Sequence, residues 1–180
     1  MFASNFIEEN ADKSFKHIRD FVVDTQAEII ALAAIVKSIF ATAAGESVVP
    51  ALTPQDLAAL GISGVNVDNI AAVIAAIAGT ADNGSGVDSL SELSNVIDAA
   101  LAASRAAFAI ISGYDGTNTI PSEAEFSAIA VTGVNSANIS SVNSVLAVLS
   151  SSATDSRAEV QSVVDTYTAI LNGADGVANG

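Results

Sequence analysis

The side chains that could do chemistry in this chain are few: one histidine, twenty acids and six bases. His17 sits between Lys16 and Arg19 and has no second histidine to join it. A zinc site or a nucleophile–imidazole–carboxylate triad cannot be assembled from one imidazole unless copies of the chain share it. The loop Asp82-Asn83-Gly84-Ser85-Gly86-Val87-Asp88 crowds oxygen ligands in the manner of a calcium loop. An EF-hand needs ligands at alternating positions and a Glu at the twelfth, and those positions hold Gly84, Gly86 and Leu93. The loop therefore reads as a turn. Glu92, Asp98, Glu159 and Asp165 could be taken as the paired carboxylates of a glycosidase. Each acid of one pair has a counterpart in the other at a matching place in the chain, which fits helix capping and solvation better than a unique cleft. No Gly-rich phosphate loop follows a strand, because no stretch reads as a strand. An enzyme is disfavoured, and neither a metal nor a cofactor is expected.

Composition narrows the partners. The net charge of −14 argues against nucleic acid, whose phosphates must be met by basic side chains. It suits a protein kept soluble by like charge. The hydrophobic share of 51% is ample for a core, yet aromatics make up only 5%, so the interior is built from small Ala and Val side chains. The absence of cysteine removes disulfides and thiolate chemistry, and leans weakly toward an extracellular setting. The apolar run 29–44 is interrupted by Lys37 and bounded by Glu28. Neither half reaches the roughly 20 residues of a membrane span, so none is expected. The acidic stretch upstream, from Glu8 to Asp24, does not read as a signal peptide.

The elements that must position these residues follow from periodicity. Residues 5–43 contain neither Gly nor Pro, and Phe15, Ile18, Val22, Thr25, Ile29, Leu32, Val36 and Ile39 recur at alternating spacings of three and four. With Phe15, Val22, Ile29 and Val36 at position a, the others fall at d, a seam with which helices wind around copies of themselves. β-branched residues at a with Ile at d favour three strands over two. The spacing thus predicts a homo-oligomer, with a trimer favoured, assembled through residues 1–45. An ordinary amphipathic helix packed on its own chain is the alternative, since Phe21, Ile30, Ile35 and Phe40 widen the stripe.

Downstream, the phrase Ile62-Ser63-Gly64-Val65-Asn66-Val67-Asp68-Asn69-Ile70 returns as Val131-Thr132-Gly133-Val134-Asn135-Ser136-Ala137-Asn138-Ile139. Aligning the two places Phe126 on Leu57, Ile129 on Leu60 and Val142 on Val73. After a shorter loop, Glu159 meets Glu92, Val160 meets Leu93, Val163 meets Val96 and Asp165 meets Asp98. Thr53-Pro54 predicts a helix start, Gly61 its end, and Gly64 a positive φ at the corner, with Asn69 and Asn138 bonding the corner backbone. Further helices are expected over 67–78 and 89–111. The chain therefore reads as all-α: a long N-terminal coiled-coil-type helix followed by two three-helix-bundle repeats. The expected divisions are 1–45 for oligomerisation, 46–112 for the first module, 113–121 for a linker, 122–172 for the second module and 173–180 for a linker-like tail.

A short helix, a Gly-Val corner at Gly64-Val65 and Gly133-Val134, a second helix and a third rich in Glu-Val and Val-Asp pairs resembles the GA module, a three-helix bundle of bacterial surface proteins. The resemblance covers 53–101 and 122–171. Similar Ala-rich repeats occur in large bacterial adhesins and phage tail fibres. It implies the fold. It does not carry over albumin binding, because Asn66-Val67-Asp68-Asn69 and Asn135-Ser136-Ala137-Asn138 lack the aromatic and basic residues which that family uses. The expected function is a non-enzymatic structural subunit of an extracellular or virion appendage, such as a tail fibre or whisker. The alternatives are binding repeats of a cell-surface adhesin, recognising a host protein or glycan, and a subunit of an extracellular filament.

Overall fold

A computed structural model of the chain describes residues 26–81 and 84–174. The seam residues Phe15, Ile18, Val22 and Thr25, with His17 and Asp82, lie outside the described residues. Among the described residues all regular structure is helical: α1 (Gln26–Ala43), α2 (Pro54–Ala59), α3 (Ile70–Ala78), α4 (Leu90–Ser112), α5 (Glu123–Ala128), α6 (Ile139–Leu146), a 3-10 turn (Ser151–Ala153) and α7 (Arg157–Ala174).

Local chemistry sets these boundaries. Three helices open on reciprocal capping boxes, Thr53 with Asp56, Ser89 with Glu92 and Ser122 with Glu125, each of which satisfies otherwise orphaned N–H groups. α1 ends at Gly45, where the Glu46 N–H donates to the Ala41 carbonyl at 2.9 Å. α3 starts at Ile70 and not at the expected position 67, because residues 66–69 are taken up by an asparagine-bonded turn.

Two apolar cores organise the molecule. In the first, Leu57 of α2, Val73 and Ile77 of α3, and Leu93, Ile97 and Leu101 of α4 close on one another with Leu52, Ile62 and Val87. In the second, Phe126 of α5, Val142 and Leu146 of α6, and Val160 and Val164 of α7 close with Ile129 and Val131. Full burial of one such side chain stabilises by roughly 1.5–3 kcal/mol.

Packing crosses two of the expected boundaries. The described end of the 1–45 segment enters the first core, where Ile39 and Ala43 are buried with Ile35 against it. Beyond Gly45, Leu52 joins Ile39 and Ala43 in that core, so the last d residue of the seam faces its own chain. The break at Ser112 is no division either. α4 has 23 residues and, at 1.5 Å per residue, runs about 35 Å, too long for one small core. Its first half serves the first core, while Ala107, Phe108 and Ile111 enter the second, followed by Tyr114 from the expected linker. Each core thus receives the far end of the helix that precedes it.

Candidate functional site

Three features hold the residues singled out by the sequence: the two Gly-Val corners, a groove beside the first corner, and the uncovered face of α1.

The corners share one hydrogen-bond set. The Asn69 side-chain amide donates to the Gly64 carbonyl at 3.0 Å, and its oxygen accepts from the Asn66 N–H at 2.8 Å. Asn138 donates to the Gly133 carbonyl at 2.7 Å and accepts from the Asn135 N–H at 2.8 Å. The Asn66 and Asn135 side chains accept in turn from the N–H groups of Asp68 and Ala137, both at 2.9 Å. Gly64 and Gly133 take φ of +85° and +88°, a region costly for any side chain. Val65 and Val134 pack against the first and second cores respectively. With their amides engaged internally, Asn69 and Asn138 hold the turn. A third turn of the same kind lies in the expected linker: Asn118 donates to the Gly113 carbonyl at 2.6 Å, and Asp115 accepts from the Thr117 N–H at 2.9 Å. The signal was present as Gly, then Asn or Asp two residues on, then Asn three further, but Asp115 and the extra Gly116 disguised it.

Glu92 and Glu159 sit in the first turns of α4 and α7, whereas Asp98 and Asp165 lie within those helices. Asp88 and Glu92 hydrogen-bond each other, which raises the Asp88 carboxyl above its ordinary value and lowers that of Glu92. Asp155 is raised first by its hydrogen bond to Glu159, and Glu159 is lowered first by the Ser156 hydroxyl. Asp165 accepts from Gln161 at 2.8 Å along its own helix. No group of three or more metal-binding side chains occurs among the described residues.

A groove of about 260 Å³ lies beside the first corner, bounded by Asn66, Asp68, Leu101, Arg105, Phe108 and Asp155. Ser104 lines it from α4 and is 2% exposed. Asp68 adds repulsion to the raised carboxyl of Asp155, which places two carboxylates and one guanidinium around a partly apolar floor.

On α1, the seam residues Ile29, Leu32 and Val36 are exposed together with Ile30 and Phe40, Ile29 and Ile30 by 61% and 62%, whereas Ile39 is 2% exposed. The described seam is therefore uncovered from Ile29 to Val36 and enters the protein at Ile39. Phe40 lies over Gly84, whose added Cβ would come within 2.5 Å of its ring. By length and composition α1 and α4 could each cross a membrane, but α4 contributes side chains to both cores. Compared with protein-family models, curated proteins and solved structures, the chain matches none.

Proposed function

We propose that the chain is a non-enzymatic structural subunit of an extracellular or virion appendage, self-assembling through its N-terminal helix and projecting two duplicated helical modules. One observation carries the reading. The same helix is anchored at its end by Ile39 and Ala43 and bare along Ile29, Ile30, Leu32 and Val36. Side chains of that size in one stripe on a rigidly held helix stay out of water only by meeting another apolar surface. The shared corner hydrogen bonds and the aligned apolar positions support duplication, and an array of such units suits an extended object. A coiled-coil trimer along the seam ends before Ile39 in this reading.

Sedimentation velocity of the full chain tests it, with Leu32→Glu as the variant. The wild type is expected to associate with rising concentration and the variant to remain a folded monomer. A wild-type chain that stays monomeric at every concentration contradicts the proposal. Cutting after residue 45 is a poor test, since it removes Ile39 and Ala43 from the first core.

The groove beside the first corner favours a second reading, a binding repeat of a surface adhesin. Its polar rim and the Ser104 hydroxyl suit a hydroxylated ligand such as a glycan. Glycan and serum-protein arrays probed with wild type and Arg105→Ala check this, and absence of any signal that depends on Arg105 removes it.

A further inference from the structure

We infer that the groove beside the first corner binds a small zwitterion, with Arg105 taking the ligand's carboxylate and Asp68 and Asp155 its ammonium group. The inference rests on the second reading above, that the groove holds a ligand, and it names the chemical class of that ligand.

The first observation is a hydroxyl with nothing to bond. Ser104 is 2% exposed and lines the groove from α4. Among the described residues its hydroxyl has no hydrogen-bond partner, whereas Ser112 on the same helix donates to the Phe108 carbonyl at 2.7 Å. Only the Asn143 oxygen is both sealed from the surface and unpartnered among those residues, so the Ser104 hydroxyl opens on the groove. A side chain this buried that leaves its donor and acceptor unused loses free energy, which a bound polar group recovers.

The charges beside it are likewise unpaired. Arg105 Nε donates to the Leu101 carbonyl of its own helix at 3.1 Å, and the guanidinium forms no ion pair with Asp68 or Asp155 although all three line the groove. Asp155 stands instead in repulsive range of Glu159 and Asp68. A guest that is only cationic repels the guanidinium, and one that is only anionic adds to the repulsion among the carboxylates. A guest bearing both charges pairs with each, its carboxylate with the planar guanidinium fork and its ammonium with the two acids. The Ser104 hydroxyl can accept from that ammonium or donate to that carboxylate. Leu101 and Phe108 supply an apolar floor for a side chain. At about 260 Å³ the groove lies at the small end of ligand pockets, which limits the guest to one small molecule such as a free amino acid.

The duplication shows that the scaffold does not need these groups. Gly64, Asn66 and Asn69 return as Gly133, Asn135 and Asn138. On the same alignment Asp68 becomes Ala137, and on that of the third helices Ser104 becomes Leu171 and Arg105 becomes Asn172. The turn is kept while these three polar groups are replaced, so their grouping in the first half is not a consequence of building the corner.

Isothermal titration calorimetry on the full chain at low salt tests it with three probes: L-leucine, N-acetyl-L-leucine, which lacks the ammonium, and L-leucinamide, which lacks the carboxylate. L-leucine is expected to bind, and each derivative to bind about tenfold more weakly, through loss of one charge-assisted contact. Arg105→Gln is expected to bring L-leucine down to the level of L-leucinamide, and Asp68→Asn to bring it toward that of N-acetyl-L-leucine, with circular dichroism unchanged in both. A merely destabilised fold would not remove one preference and keep the other. L-leucine that does not bind, or that binds no better than its derivatives, overturns the inference. An Arg105-dependent glycan signal beside silent L-leucine would overturn it and leave the second reading standing, whereas silence from both would remove both.

Discussion

The first and second cores use the same corner and differ in how the surrounding chain is fastened. Around the first, the α2 helix ends at Gly61 with φ +82°, and the return to the core is apolar, through Ile62. Around the second, the matching position is Ala130, which holds φ +53°. Its carbonyl accepts from Arg157 Nε at 3.1 Å and Nη2 at 2.8 Å. Gln161 adds a two-way clamp on Thr132, accepting from its N–H at 2.9 Å and donating to its carbonyl at 3.1 Å. Buried Asn143 donates to the Pro121 carbonyl at 2.7 Å, where the first half has Ile74. A backbone geometry that glycine provides directly in one half is thus held by side-chain donors in the other. The polar solution has a cost, because the Asn143 oxygen is buried without a partner.

The largest expected effect separates the cores. Phe126→Ala is expected to cost about 3–5 kcal/mol and Leu57→Ala about 2–5 kcal/mol. Tyr114 and Tyr167 both pack against the second core and the chain has no tryptophan, so tyrosine fluorescence reports that core while far-ultraviolet circular dichroism reports both. Phe126→Ala should shift the tyrosine transition in denaturant strongly, and Leu57→Ala should shift mainly the circular dichroism. Equal shifts by both probes would mean that α4 welds the cores into one cooperative unit.

Gly133→Ala and Gly64→Ala come next, at about 2 kcal/mol each, from the positive φ together with contacts of 3.3 Å to Val164 and Leu101. Near-equal losses in denaturant melts would sharpen the equivalence of the corners, and a tolerated alanine at either would break it. Asn138→Ala should cost about 1 kcal/mol by the same assay, through loss of two turn hydrogen bonds. Ala130→Gly should instead stabilise by about 1 kcal/mol, since glycine relieves the left-handed alanine. An unchanged or lower midpoint would show that the Arg157 clamp already offsets the strain.

How much of this was legible depended on whether the information was local. The helical class followed from periodicity. Thr53-Pro54 at the start of α2 is equally local, because it reflects the chemistry of a few adjacent residues. The sharing of α4 was not legible, because Ala107 and Ile111 continue the apolar stripe of Leu93 and Leu101 without any break to say that the partner changes. For the same reason Ile39 looked like its seam neighbours Leu32 and Val36 and only the fold set it apart. The clamps of Arg157 and Gln161 reach back over more than twenty residues, a distance at which no spacing rule operates.

The smallest effect is on pH. The Ser122 hydroxyl and N–H hold Glu125 below the ordinary carboxylate range, and the Thr117 N–H and hydroxyl do the same for Asp115. Their contribution is complete above the unfolded value of about 4 and is lost as pH falls through the lowered folded values. Asp88 and Asp155 run the other way, each raised first by the hydrogen bond to its neighbouring Glu, so the ionised forms are unfavourable in the fold and are relieved as pH falls through the raised values. Thermal melts should show Tm falling as pH drops below about 4, with the relief of Asp88 and Asp155 opposing that fall. Glu125→Gln should flatten the fall.

The contact made by α1 is tested most directly by covalent capture, which the chain's lack of cysteine keeps free of background. Copies carrying Leu32→Cys, and separately copies carrying Ile170→Cys, are oxidised under native conditions. Self-assembly through α1 predicts a disulfide-linked product from Leu32→Cys at concentrations where Ile170→Cys stays monomeric. Leu32→Cys that stays monomeric, or that links no more than Ile170→Cys, would contradict it.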